Sequence, residues 1–391
     1  MKKKKVLFRI SSMDFGDAQK VLIDVLNSLD QNKFEVALLL DYAGGALEKE
    51  IPIQVLLYPI TNGIGRFSKY EFIRFFHRVR CRLHLEFYKV FPFLLERKLS
   101  FIPDVEIAFT HLGLPALLRS PFTKSKKINW FHSDISFFDV ESRNRVLELM
   151  ERCDITVFVS DTTKKRVEEY FKESISNGVL IYNLLNDQKI KELAQKFVDT
   201  EEFFKSQDCK TFVSVGRLVY QKGYDILLEA HKDLIREGIY HRIVIIGNGP
   251  DYCYLKEQIS FLGLEETFIL LGEKENPFPY MVAANFYIQS SRYESYPLTV
   301  KEALILNKPI ISTDSCGVRE IIEHGETGYI VECSKIGLKK GMKMFLVESE
   351  PVNKIKQKQK QRETDFNLHN QQTHQQLECL LLENKEKYFS I

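Results

Sequence analysis

No stretch of this chain approaches the roughly 20 consecutive apolar residues that a membrane-spanning helix needs, so the sequence predicts no span. Cysteine is sparse, seven in 391 residues, and no two fall in a C-x-x-C spacing. That disfavours a zinc ribbon or a disulfide framework and predicts reduced thiols. Neither sign of charge is in excess: 55 Lys and Arg against 53 Asp and Glu leave +2. Such a balance offers no general attraction to nucleic acid. No H-E-x-x-H spacing and no Ser/His/Asp order is present, so zinc hydrolysis and serine-type acyl transfer lack their machinery. The basic start, Met1 to Lys5, looks like the head of an export signal. The apolar run at 6–10 is broken by Arg9, however, and followed by Ser11, Ser12 and Asp14. It is too short for export, and the expectation is a cytoplasmic protein, soluble or peripheral on the inner face of the cell membrane.

What is there is enough for two ordinary domains: 391 residues, 44% of them hydrophobic, where domains commonly run about 100–200 residues. The chain is organised around residues 286–312. Phe286, Tyr287 and Ile288 predict a buried strand, with Ser290, Ser291 and Arg292 as its polar exit. Pro297 stands at an expected first helical position, which suits its fixed φ. Val300, Ala303 and Leu304 follow at helical spacing, and Pro309, Ile310 and Ile311 predict the next strand. Glu294 lies just before this helix and Glu302 inside it. A helix N-terminus presents free N–H groups and partial positive charge, which suit a phosphate. A carboxylate within the helix reaches sugar hydroxyls beside that phosphate. This is chemistry for gripping a nucleotide sugar; the plain alternative is a βαβ unit with two surface glutamates.

The same rhythm runs through both halves. Strands are expected at 6–10, 34–40, 53–58, 105–109, 127–131, 153–160 and 179–182. A second set is expected at 211–215, 242–246, 268–271, 286–288, 309–311 and 329–331. Strands that alternate with helices predict the α/β class, with parallel sheets covered on both faces. The expected domains are 1–190 and 211–345, joined by a charged linker at 191–210. A polar tail at 346–391 follows, whose late cluster Leu377, Leu380, Leu381 and Leu382 can dock on either domain.

Ligands of such sheets sit beyond the strand C-termini, so strand-end residues are the candidates. Gly16, in the loop at 11–17, allows close backbone approach or simply makes a turn. His132 follows a strand and can donate to a sugar hydroxyl or shift a proton; a structural role is the common alternative. Arg217 and Lys222 both follow the strand at 211–215. An arginine fork and a compact ammonium fit two sides of a diphosphate, unless they are ordinary surface cations. Gly247 and Gly249 follow the strand at 242–246 and complete only part of a G-x-G-x-x-G pattern.

Residues 62–100 differ in kind. Phe72, Phe75, Phe76, Val79, Leu83, Phe87, Val90 and Phe91 recur at roughly helical spacing. Arg74, Arg78 and Arg82 line another face, and Arg66, Lys69, Arg80, Lys89, Arg97 and Lys98 add to the basic excess. A basic aromatic segment of this kind at 66–98 is suited to an anionic membrane surface. The bland reading is a helix pair packed on the domain with a solvated basic face.

Three motifs in this order carry a family resemblance: Val215-Gly216-Arg217-Leu218 with Lys222-Gly223, then Ile246-Gly247-Asn248-Gly249-Pro250, then the spaced pair Glu294 and Glu302. Over nearly all of 1–335, and most strongly over 211–331, the chain resembles the retaining glycosyltransferases of family 4. That resemblance implies the GT-B fold, two Rossmann-like domains with parallel sheets facing across a cleft. It implies that Arg217 and Lys222 hold the donor diphosphate and stabilise the leaving group. Glu302 would bind the ribose hydroxyls, and Glu294 the donor sugar. Ser295, Tyr296, Pro297 and Leu298 would offer main-chain groups to the distal phosphate or sugar, with His132 near that sugar. The loop at 272–276 would lie near the base. No D-x-D motif is present, which agrees with cations of the protein, and no metal or other cofactor, taking the diphosphate charge. The chain departs from the family at Phe15-Gly16-Asp17-Ala18-Gln19, where Gly-Gly-Ala-Glu is usual, and in its polar tail.

The expectation is therefore a transferase that takes a hexose or N-acetylhexosamine from a nucleotide-diphosphate sugar, foremost a UDP sugar. Its partners are that donor, a lipid-linked glycan acceptor for capsule, exopolysaccharide or lipopolysaccharide, and a membrane surface through 66–98, with no nucleic acid. A catalytically silent GT-B subunit that stabilises a partner transferase is the rival reading, although such a subunit has no need of Arg217, Lys222, Glu294 and Glu302. A sugar-nucleotide epimerase fits the fold but fits the glutamate spacing less well.

Overall fold

A computed structural model describes residues 2–14, 16–63, 71–171, 175–196, 209–361 and 363–383, with side chains for all of these except 71–74 and 363–369. Arg66 and Lys69 of the basic segment, and most of the expected linker, lie outside the described residues. The chain forms two compact units, Met1–Leu185 together with the residues from Asn370 onward, and Asn186–His369.

The first unit is built on a sheet of seven strands: β1 (Lys4–Ile10), β2 (Phe34–Tyr42), β3 (Leu56–Thr61), β4 (Val105–Ala108), β5 (Lys126–Phe131), β6 (Ile155–Phe158) and β7 (Gly178–Leu180). Their order is β3-β2-β1-β4-β5-β6-β7, and every pairing is parallel. A parallel sheet is covered on both faces, so its strands read as near-continuous apolar runs. Val6, Leu7 and Phe8 are accordingly sealed. The third strand begins later than the expected 53–58, because Ala37 pairs with Leu56 and leaves Ile53 fully exposed.

Arg9, which breaks the first apolar run, is itself buried. It meets Glu106 of β4, and Glu106 also accepts from Lys127 of β5, from Ser125 at 2.5 Å and from Ser120 at 2.8 Å. Burial alone raises the Glu106 pKa, but Arg9 and Lys127 outweigh it and hold the carboxyl below its usual range.

The second unit has six strands: β8 (Thr211–Val215), β9 (Arg242–Ile246), β10 (Phe268–Gly272), β11 (Phe286–Gln289), β12 (Ile310–Thr313) and β13 (Tyr329–Val331). Their order is β10-β9-β8-β11-β12-β13, again all parallel. The order reverses direction between β8 and β11, the topological switch point of a doubly wound sheet. Here β8, β9 and β13 fall where the sequence places them. Pro297 does not: it caps the helix Leu298–Ile305 from outside, with ψ at 99°, instead of opening it.

Two expectations for the connecting segments change. Across the start of the expected linker, Asp187–Ala194 is a helix whose Asn186 cap accepts from Lys189 N at 2.9 Å. It belongs to the second unit, where Asn276 donates to its Leu193 carbonyl at 2.8 Å. The tail at 346–391 is not loose over its described part; it contains the helices Glu350–Gln361 and Glu363–Leu382. The last of these starts in the second unit and ends on the first. There Leu377, Leu380 and Leu381 are fully buried while Leu382 stays exposed. His374 donates to the Ser28 carbonyl at 2.6 Å, and Lys126 donates to the carbonyls of Leu380 and Glu383 at 2.8 and 3.0 Å.

The helix Glu71–Val90 turns a narrow stripe inward, with Cys81 and Leu85 buried and His77 and Tyr88 half-buried. The aromatic stripe read from the sequence points the other way. Phe75, Phe76, Leu83 and Phe87 are each about half exposed or more, at 56, 54, 66 and 49%.

Two buried histidines close the core of the second unit. His241 Nδ1 donates to the Ile239 carbonyl at 2.9 Å, which leaves its Nε2 to accept from His231 Nδ1 at 2.8 Å. His231 Nε2 then accepts from the Thr267 hydroxyl at 3.0 Å. In this arrangement both rings are neutral and every ring nitrogen has a partner. Burial pushes both imidazoles well below the usual 6.5, and His241 adds to the effect on His231.

The unfolded chain takes up these protons below about pH 6.5 and the folded chain does not, so stability is full above that pH and falls below it. A single imidazole of this kind costs up to about 1.4 kcal/mol per pH unit. Melting temperature measured from pH 7.5 down to 5.5 will fall more gently in His231→Gln than in the wild type; equal slopes would rule the pair out. In the first unit, Glu106→Ala leaves Arg9 and Lys127 without their carboxylate and will cost about 3–5 kcal/mol in urea unfolding.

Candidate functional site

Because all strands of the second sheet run the same way, their C-terminal ends share one edge. The loops after β8 and β11 are neighbours there, on either side of the switch point. Lys222 comes from the first loop and Glu294 from the second, and they form an ion pair at 2.7 Å. Both are nearly sealed, at 9 and 5% exposure. Ser291 donates to Glu294 Oε1 at 2.7 Å, and Gln221 Nε2 reaches Glu294 Oε2 at 3.3 Å and the Tyr293 carbonyl at 3.0 Å. Ser290 Oγ donates to the Lys222 carbonyl at 2.7 Å. The backbone makes the fit possible. Gly223 has φ of +63°, and a Cβ there would stand 2.2 Å from the Ser290 carbonyl oxygen.

Arg217 differs from Lys222. It lies on the same loop but is exposed, and it makes no ion pair among the described residues. Its position is set from below. Leu218 N donates to the Asn248 carbonyl at 3.0 Å, and Gly216 N to the Ile246 carbonyl at 3.0 Å. Gly247 and Gly249 are explained by this contact. Gly247 has φ of +149°, and its Cβ would meet the Gly216 carbonyl oxygen at 2.0 Å; a Cβ on Gly249 would meet that of Leu218 at 2.3 Å. In the described structure their freedom serves loop against loop.

The residues from Ser295 to Leu298 sit at the start of the short helix after β11. No side chain caps that end, so its first N–H groups are not satisfied by a cap. Tyr296, Pro297 and Leu298 are buried, and Ser295 is half-buried. Glu302 is on the same helix, with 2% of its surface open, and its charge is felt by the buried Tyr287 hydroxyl, whose pKa desolvation raises. Asn276, from the loop expected near the base, has its carboxamide committed to Leu193.

His132 and Gly16 belong to the first unit. His132 leaves β5 with its ring stacked on Trp130 at 6.2 Å and tilted against Phe109 at 4.9 Å. Burial lowers its pKa to about 3; the Asp17 carboxylate opposes this and His111 adds to it. The ring is therefore neutral at pH 7 and is suited to hydrogen bonding rather than to carrying charge. Gly16 immediately precedes the helix Asp17–Ser28, at the same sheet edge. Its φ of −178° is extended backbone that any residue adopts. A Cβ there meets only the far end of the Gln19 side chain, at 2.4 Å.

The second unit thus brings together Lys222, Glu294, Arg217, Glu302 and the 295–298 segment, and the first unit brings together His132 and Gly16. Gln221, Ser290 and Ser291 are further members. Sequence reading takes the two serines only as a polar exit and passes over Gln221, because short polar side chains beside a strand end carry no periodic signal. Among the described residues, no group of three or more His, Cys, Asp or Glu is placed to hold a metal ion.

Comparison with known proteins extends this picture. Residues 195–362 match the family model of glycosyl transferases group 1. An uncharacterized glycosyltransferase of Methanocaldococcus jannaschii is 32% identical over 170 residues, which is 43% of this chain and 42% of that relative's length. A Campylobacter jejuni enzyme is 26% identical over 367 residues, 91% of this chain and 94% of the relative. Its name describes a 4-alpha-N-acetylgalactosaminyltransferase acting on a diphospho-undecaprenol-linked saccharide. Among solved structures, Anabaena HepE in complex with UDP and glucose superposes with a TM-score of 0.72 at 18% identity, covering 96% of this chain and 99% of its own. Residues 195–362 thus resemble the glycosyl transferases group 1 family, and the chain shares the GT-B fold of two Rossmann-like domains with solved structures of that kind.

Proposed function

We propose that this protein is a retaining glycosyltransferase. It moves a hexose or N-acetylhexosamine from a nucleotide-diphosphate sugar, foremost a UDP sugar, to a lipid-linked glycan in the synthesis of capsule, exopolysaccharide or lipopolysaccharide. The observation that carries the reading is the buried Lys222–Glu294 pair at the switch point of the second sheet, with Arg217 exposed on the same loop. Support also comes from the Campylobacter relative, whose named product is an alpha linkage on a polyprenyl diphosphate saccharide. The solved relative that holds UDP supports the choice of nucleotide.

Glycosyl transfer builds positive charge on the anomeric carbon and negative charge on the departing diphosphate. Arg217 and Lys222 meet the diphosphate charge, and fixed donors of this kind are worth about 3 kcal/mol in the transition state. Glu294 is assigned to the sugar hydroxyls, Glu302 to the ribose, and the N–H groups at 295–298 to the distal phosphate or sugar. His132, held neutral by burial, donates one hydrogen bond to the sugar instead of shuttling protons near pH 7. Side-chain cations take the role that a metal has in other transferases, so the scheme calls for no cofactor.

The lipid-linked acceptor and a site on the inner face of the cell membrane are part of the same proposal. No helix among the described residues is long and apolar enough to cross a membrane. The helix Glu71–Val90 instead presents half-exposed Phe75, Phe76 and Phe87 beside exposed Arg78, Arg80 and Arg82. Rings that enter the headgroup region with flanking guanidinium groups are the chemistry of a peripheral anchor.

Two measurements test these parts separately. In a screen of UDP and GDP sugars, one donor will be hydrolysed slowly by the wild type, and Glu294→Ala or Arg217→Ala will lower that rate about 100-fold or more. Tight donor binding with no release, even with glycan acceptors present, would move the protein to the silent-subunit reading. In flotation with vesicles containing anionic lipid, Arg78→Glu with Arg82→Glu will weaken binding by at least about fivefold per residue. Unchanged binding would remove the membrane surface from the proposal.

A further inference from the structure

One arginine outside the assigned set stands where the two donor loops meet. Arg292 follows β11, two residues before Glu294. Its side chain does not point at the Lys222–Glu294 pair but reaches over the outside of the Lys222 loop. Nη1 donates to the Tyr220 carbonyl at 2.7 Å and to Asp225 Oδ1 at 2.8 Å, and Nη2 donates to Asp225 Oδ2 at 2.6 Å. The flat face of the guanidinium lies 3.9 Å from the centre of the Tyr220 ring. Its backbone N–H also donates to the Gln221 carbonyl at 2.7 Å. One residue therefore holds Tyr220, Gln221 and Asp225, which bracket Lys222 on both sides.

We propose that Arg292 is a positioning residue for sugar transfer: it clamps the loop that carries Lys222 so that the ammonium stands where the leaving phosphate develops charge. The proposal rests on the donor-site reading above. Its physical basis is that the loop between β8 and the helix Tyr224–Arg236 is short, turns through Gly223 in the left-handed region, and has the half-exposed segment at 219–221 as its outer arm. Without a tie on that arm, Lys222 keeps its bond to Glu294 but loses the frame that fixes both. The geometry requires arginine. A fork to one carboxylate, a further bond to a carbonyl and a flat face on a ring cannot all be made by a lysine ammonium. Displacement of a catalytic group by about 1 Å costs on the order of 100-fold in rate. An interaction that serves the transition state is lost from kcat more than from KM.

The test uses the full chain with the donor found in the screen. Arg292→Lys and Arg292→Ala will each lower kcat by about 10- to 100-fold, with donor KM changed less than about threefold. Asp225→Asn will give a similar loss, and adding it to Arg292→Ala will cost almost nothing more, as expected for two halves of one clamp. Lys343→Ala, which removes an exposed ion pair with Glu237 in the same unit, will leave kcat unchanged. A merely structural arginine would lower the melting temperature of these variants and leave kcat of the folded protein as it was, and that result overturns the clamp. If Arg292→Lys restores full kcat, the shape argument is overturned as well. If the wild type itself neither binds nor turns over any UDP or GDP sugar by calorimetry and hydrolysis assay, the donor-site reading fails and the clamp falls with it. A working wild type with unaffected Arg292 variants condemns the clamp alone.

Discussion

A strand can lie parallel to its predecessor only after the chain has crossed back over the sheet, and both sheets of this protein are parallel throughout. The inner strands are therefore covered on two faces and offer little side-chain surface to solvent, while the edge strands β3 and β10 stay partly open. The places left for polar groups that meet a ligand are the strand ends. In the second unit that edge collects the loops after β8, β9, β11 and β12, and the reversal of strand order sets two of them side by side. The meeting of Lys222 and Glu294, 72 residues apart in sequence, follows from this constraint.

Two buried ion clusters show how the same physics yields different outcomes. Around Glu106, two cations and two serine hydroxyls saturate one carboxylate inside the sheet of the first unit, and no part of Glu106 is exposed. Such a cluster has no capacity for a ligand and contributes uniqueness of packing. Around Glu294, the cluster sits at a strand end, is tied through loops that meet backbone to backbone, and has an uncommitted guanidinium on the same loop. Desolvated charge is costly in both places. Only the second sits at the sheet edge where doubly wound folds take their ligands.

Much of this was legible in the sequence, for a reason that also marks its limits. The runs at 211–215 and 242–246 are continuous, apolar and closed by glycine, so they read as buried strands without ambiguity. The two loops that follow them were legible for the same reason, and with them Arg217, Lys222, Gly247 and Gly249. The exceptions are residues whose surroundings come from far along the chain. Arg9 looks like an interruption until Glu106, 97 residues away, is placed beside it. Ile53 belongs to an apolar run that fits either of two registers, and pairing with β2 decides between them. In the helix Glu71–Val90 the spacing of the aromatic residues gives the period but not the facing, and the inward stripe is the smaller one around Cys81 and Leu85. Arg292 reads as a polar exit because its three partners, Tyr220, Gln221 and Asp225, come from the loop after β8 and the start of the helix Tyr224–Arg236. Local pattern identifies an element; non-local partners assign its faces.

The last helix has a bearing on how the protein comes into being. Leu377, Leu380 and Leu381 cover a surface of the first unit, yet the whole of the second unit, residues 186–369, is synthesised between that surface and its cover. At about 5–20 residues per second, the gap lasts on the order of 10 s or longer. During translation the first sheet thus emerges early, folds with an apolar seam still open, and waits for the far end of the chain to close it. The nascent protein carries that open apolar surface for as long as the second unit takes to be made. A message cut short anywhere in the second unit would release a first unit that is folded in outline but never sealed.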